Sequence, residues 1–166
     1  MDSKTLRQTQ EPLKENYKAN PGAALVTLKA TSRIGEGITC KIETGKMMAE
    51  AGLHPATGGD GLSVCSGDML LEALAACAGV TLKAVATAIN FDLRDAFIYV
   101  EGDLDFRGTL SVDKNAPVGF RDIRLNFQLV TTEPSDKIAN LIKLTERYCV
   151  VYQTLVKANT VEVSIK

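Results

Sequence analysis

The residues in this chain best equipped for chemistry are its cysteines, Cys40, Cys65, Cys77 and Cys149. None belongs to a CxxC pair, so neither a zinc ribbon nor a thioredoxin-type dithiol is supported. Cys77 stands in the middle of Ser66 to Ile89, an apolar stretch with helical periodicity. There Leu70, Leu74, Cys77, Thr81, Ala84 and Ala88 recur at steps of four and three and share one stripe. A thiolate, not a thiol, is the nucleophile, and apolar surroundings raise a cysteine pKa unless a cation or hydrogen bonds favour the charge. Taken alone, a cysteine on an apolar stripe reads as a small core residue, and Cys40, which shares an alternating face with Ile38 and Ile42, reads the same way. Cys65 precedes the start of the helical stretch, where it could pack against Leu70. His54, the one histidine, lies in a loop, and metal binding would need several converging ligands. Gly58-Gly59-Asp60-Gly61 lacks the lysine and spacing of a phosphate loop and reads as a turn.

The stretch that carries Cys77 is well delimited. Ser66 can cap it, Asp68 suits the positive end of the helix dipole, and Asn90 is a natural left-handed terminator. Glu72 and Lys83 hold its polar side. With Asp68 they interrupt the apolar run well short of the ~20 residues of a membrane span, so an interior helix is expected.

The chain has 166 residues and a formal net charge of -1, enough for one domain with a real core and without a basic stripe for nucleic acid or a membrane anchor. Its opening, MDSKTLRQTQEPLKENYK, is polar and unlike a signal peptide, which makes the cytoplasm the expected compartment and reduced thiols the expected state. Residues 4–18 predict a short surface helix broken at Pro12, and 1–23 an appendage to a single domain over 24–166.

Ala24 to Ser32 and Gly37 to Thr44 predict a hairpin turning at Arg33 to Glu36, and Lys46 to Gly52 fits a strand or a helical turn. Leu53 to Gly61 is loop. Ala96 to Phe106 and Phe120 to Thr131 predict a second hairpin. A helix after Pro134 follows, with Ile138, Leu141, Ile142 and Thr145 on one face and Cys149 just beyond, and then a last strand from Val161 to Ile165. Strands grouped on either side of a helix predict an α+β fold.

Three segments, LLEALAACAGVTL around Cys77, VEGDLDFRG after the helix and TERYCVVYQTL around Cys149, together resemble the OsmC/Ohr family of osmotically inducible and organic hydroperoxide resistance proteins. The resemblance runs from Ala24 onward. It implies an intertwined homodimer in which antiparallel sheets enclose long central helices. It also implies a thiol peroxidase for oxidative stress defence, with Cys77 as peroxidatic and Cys149 as resolving cysteine, working through a sulfenic acid and a disulfide reopened by a thiol reductant, with no metal or organic cofactor.

In such peroxidases an arginine of the first hairpin turn, held by a glutamate near the start of the helix, favours the thiolate; Arg33 matches the arginine. The glutamate's position is held by Gly67, with Asp68 one residue later, and the usual CPxS reads Cys149-Val150-Val151-Tyr152. Both departures predict slow turnover. They leave open a second class of function, a non-catalytic protein that holds an apolar small molecule or senses redox state.

Overall fold

The computed structural model describes residues 3–34, 40–42, 51–62 and 64–165. Its centre is a four-stranded antiparallel sheet with strand order β2-β1-β5-β6, built from β1 (Leu25–Ile34), β2 (Cys40–Ile42), β5 (Asp95–Asp105) and β6 (Asp122–Val130). A short parallel pair, β3 (Ala51–Gly52) and β4 (Val64–Cys65), leads into the long helix α2 (Ser66–Ala88). The other helices are α1 (Ser3–Ala19), α3 (Phe106–Thr109), α4 (Ser135–Tyr148) and α5 (Val150–Val156), with short 3-10 turns at Pro21–Ala24 and Pro55–Thr57. The mixed α/β architecture with an antiparallel sheet matches the α+β expectation.

The β5–β6 hairpin forms because alternation gives each strand one apolar face, and β1 pairs antiparallel with β2. On β5, Ala96, Ile98 and Val100 are fully buried beneath α2, while Phe97 and Tyr99 point the other way. Gly102 lies on the inner face, where a Cβ would come within 2.5 Å of the Phe120 ring and 3.2 Å of Leu71, so only glycine lets that ring approach the central strand. On α4, Leu141 and Thr145 are buried and Ile138 and Ile142 partly so, the face expected from the spacing.

Helix α2 ends as expected, with Asn90 at φ 53°. Its start differs: Cys65 occupies the cap position without a side-chain cap bond, and Ser66 is the first helical residue. Its buried stripe is also rotated from the expected one. Leu71, Leu74, Ala75, Ala78, Leu82, Val85 and Ala86 face the core, leaving Cys77 half-buried and Met69, Leu70 and Val80 exposed. By length and mean hydropathy (23 residues, 1.7) this helix would suffice to cross a membrane. Its buried stripe packs against β1, β5, α4 and α5, and that packing accounts for the apolar composition.

Three further expectations are corrected. Pro12 does not break α1: it removes one backbone hydrogen bond, yet the helix runs through it. Helix α1 is tied to the domain: the buried Tyr17 donates its hydroxyl to the Ala56 carbonyl (2.7 Å) and Gln10 Nε2 donates to the Thr57 carbonyl (3.1 Å). Gly58, at φ 91°, meets this helix so closely that a Cβ would lie 3.0 Å from Thr9.

Val161 to Ile165 forms no strand in the protomer. Val161, Val163 and Ile165 are 82%, 91% and 99% exposed, and among the described residues no strand lies beside them. The first turn starts later than expected, since Arg33 and Ile34 still belong to β1. Gly35, Glu36, the Lys46 to Glu50 segment and the side chain of Cys40 lie outside the described residues.

Candidate functional site

Two elements bring thiols together. Helix α2 offers Cys77 from the flank of its buried stripe, and the corner between α4 and α5 offers Cys149, which is 1% exposed. That corner is held by its backbone. The Cys149 amide donates to the Thr145 carbonyl (2.9 Å), the Gln153 amide to the Cys149 carbonyl (2.9 Å), and the Gln153 side chain to the Glu146 carbonyl (2.8 Å). Cys149 is the N-cap of α5, its Sγ accepting the Tyr152 amide at 3.5 Å. A sulfur thus does what a serine or aspartate oxygen commonly does at a helix start.

Cys77 packs against the core cluster that contains Cys149. Burial, and then a hydrogen bond to Cys77 and its charge, push the Cys149 thiol up to about 11, against the Tyr152 and Val151 amides, which favour the thiolate. Cys149 therefore holds its proton more firmly than a free cysteine does. Next to the pair lies an open groove of about 440 Å³, lined mostly by apolar side chains of β6, α4 and α5. Leu74, one turn before Cys77, and Tyr152, whose amide caps Cys149, both belong to its wall.

Arg33 does not join the pair. It lies opposite Phe97 in the β1–β5 register and so shares the outer face of the sheet, away from α2. There its guanidinium is clasped by the Asp95 carboxylate, with Nε at 3.0 and 3.2 Å from the two oxygens, and its Cζ sits 5.2 Å above the Phe97 ring. The physical reason is its place in the strand: the expected turn position would have freed the side chain, whereas a ladder position fixes the face.

Asp68, the acidic residue next to Gly67, sits in the first turn of α2, where burial raises its pKa and nearby His54 opposes the shift. Cys65 is half-buried at the head of α2, twelve residues before Cys77, roughly 18 Å along the helix. Helix α5 and its capping by Cys149 were not anticipated. A seven-residue run rich in valine carries too little periodicity to announce a helix.

A family model described as "OsmC-like protein" matches residues 58–165, nearly two thirds of the chain and both thiols of the pair. Among solved structures, the crystal structure of an OsmC-like hydroperoxide resistance protein from Jannaschia sp. CCS1 is similar in fold, with a TM-score of 0.59 and 18% identity over 86% of this chain and 94% of that one. No match was found among curated proteins. With the family match spanning the helix of Cys77, the hairpin behind it and the corner of Cys149, the chain belongs to the OsmC-like protein family.

Proposed function

We propose that this protein is a thiol-dependent peroxidase that reduces organic hydroperoxides through Cys77 and Cys149, working as a homodimer in a cytoplasm that keeps its thiols reduced. The reading rests above all on the juxtaposition of a half-buried thiol and a buried, proton-holding one beside an apolar groove. In the first step the Cys77 thiolate attacks one peroxide oxygen, the O–O bond breaks, and the organic fragment leaves as an alcohol after taking a proton. Cys77 is left as a sulfenic acid. The Cys149 sulfur then attacks the Cys77 sulfur, an S–S bond forms and water leaves. Two equivalents of a thiol reductant return both cysteines to thiols. The interaction between the two sulfurs supports this division of labour, since it sets the resolving thiol beside the one that is oxidised.

The dimer is supported by the apolar surface of a single protomer. Met69 and Val80 on α2 are exposed, β6 has no partner on its outer edge among the described residues, and the Val161/Val163/Ile165 alternation is uncovered. An alternating segment in one copy and an open strand edge in another complement each other.

Mixing the reduced protein with one equivalent of an organic hydroperoxide tests the reading. Rapid loss of two thiols, with peptide mapping that finds a single intrachain Cys77–Cys149 bridge, is the expected result, and Cys149→Ser should trap a sulfenic acid on Cys77. Oxidation landing mainly on Cys65 or Cys40 would sink the mechanism. The engagement of Arg33 with Asp95 favours a second reading, a protein that retains an apolar molecule in the groove without turnover. Inert thiols under the same conditions would favour it.

A further inference from the structure

A second cleft, of about 400 Å³, opens at the head of α2, roughly two to three turns from Cys77, and the peroxidase reading makes no use of it. One wall is the segment from Gly52 to Thr57, with Leu53, His54 and Thr57. The floor comes from Cys65, Ser66, Gly67 and Leu70, and the far wall from α3 and residues 118–120. Phe120 borders both this cleft and the groove beside the thiol pair, so its ring, seated against Gly102, is the partition between them.

Three features mark the cleft as a built site. Its described lining contains no aspartate, glutamate, lysine or arginine. Its loop wall is braced from behind: α1 holds the Ala56 and Thr57 carbonyls through Tyr17 and Gln10, so the ordering cost of that wall is met before any ligand arrives. Finally, His54 Nδ1 accepts the Ala56 amide at 3.0 Å, which leaves its proton on Nε2, and its ring stacks on Phe106 at 5.0 Å between centroids, giving a flat aromatic surface. The volume falls within the range of small-molecule sites, about 300–1,000 Å³.

We propose that this cleft is a binding site for a neutral, predominantly apolar, ring-bearing small molecule, separate from the peroxide-reducing centre. An ionised ligand would lose its hydration without gaining a carboxylate, ammonium or guanidinium counter-charge from the described lining. A neutral ring would gain the apolar surface of Leu53, Leu70, Leu104, Phe106 and Val118.

Cys65 serves as the reporter, since its half-buried thiol lines the cleft. The full-length reduced protein is treated with N-ethylmaleimide and modification is followed at each cysteine by mass spectrometry. The reaction is run with no probe, with N-phenyl-1-naphthylamine, or with the sulfonate of the same ring system, 8-anilinonaphthalene-1-sulfonate. At ten times its Kd the neutral probe is expected to slow Cys65 modification by about tenfold, following 1 + [L]/Kd, with little change at Cys77. The sulfonate should protect far less at the same concentration. Leu70→Glu, which places a carboxylate in the floor, should abolish protection; Val118→Glu, at the exposed rim, gives the same test should the first variant fold poorly.

Unchanged Cys65 reactivity with the neutral probe, or equal protection by the sulfonate, overturns the proposal. So does protection that grows with protein concentration in the absence of probe, which would mean that a second copy covers the cleft.

Discussion

Raising the pH should destabilise the protein through one buried thiol. Cys149 is 1% exposed and its pKa is pushed up to about 11 from an ordinary 9.0. A group whose folded pKa exceeds its unfolded value binds its proton more tightly in the native state. The corresponding stability is fully present below about pH 9 and is lost as the pH climbs through about 11. At roughly 1.4 kcal/mol per unit, the shift amounts to about 2–3 kcal/mol.

Urea denaturation at several values between pH 8 and 11 and at fixed protein concentration measures it, with Cys149→Ala as the reference, because lysines and tyrosines titrating in the same window cancel in the difference. The wild-type free energy should fall more steeply than that of the variant. In Cys77→Ser the excess slope should shrink without vanishing, since burial, the largest cause, remains. Parallel curves for wild type and Cys149→Ala would refute the reasoning, for they would mean that the sulfur is solvated or that its amide donors outweigh burial.

Other outcomes follow from single contacts. Gly102→Ala should cost about 1–3 kcal/mol in urea, because its methyl would press on the Phe120 ring and Leu71 in the centre of the sheet. Tyr17→Phe, which strands the Ala56 carbonyl, should cost about 1 kcal/mol and speed labelling of Cys65, both measurable on one preparation. Sedimentation at low micromolar concentration should show a dimer, and truncation after Lys157 should weaken it by removing the uncovered alternating segment. Because Arg33 lies on the far face of the sheet, Gly67→Glu should leave the second-order rate of Cys77 with an organic hydroperoxide unchanged; acceleration would mean that the Arg33–Asp95 pair opens in solution.

How legible the molecule was varied with the physical signal. The β5–β6 hairpin could be read from sequence because Ala96, Ile98 and Val100 alternate with outward residues, and alternation has only two phases. The C-terminal end of α2 could be read because Asn90 carries local chemistry, and Asp68 put the start within a residue of its place. Its rotation could not. A helix apolar on nearly every side gives no phase, and the choice between the Leu71–Leu82 stripe and the Cys77 stripe was made by the sheet and by α4 and α5.

Arg33 illustrates the sharper failure. Extending β1 by two residues changed a turn residue into a ladder residue and placed the guanidinium on the outer face. The thiol pair was named from sequence motifs. The capping of the Tyr152 amide by the Cys149 sulfur was invisible there, because cysteine is not a residue that announces a helix start.

The separation of Cys77 and Cys149 along the chain gives their contact a mechanical meaning as well as a chemical one. A bridge between them would close a loop of roughly 70 residues containing β5, β6 and α4, and chain-entropy arithmetic assigns such a loop about 4 kcal/mol against the unfolded state. Spent protein would then be the harder form to unfold and, at about 30 mV for each 1.4 kcal/mol, a couple that its reductant must work some 90 mV harder to reopen. Heat resistance would therefore track oxidation: a cell under peroxide load would accumulate the more durable form, and reduction would return it to the more readily unfolded and degraded one.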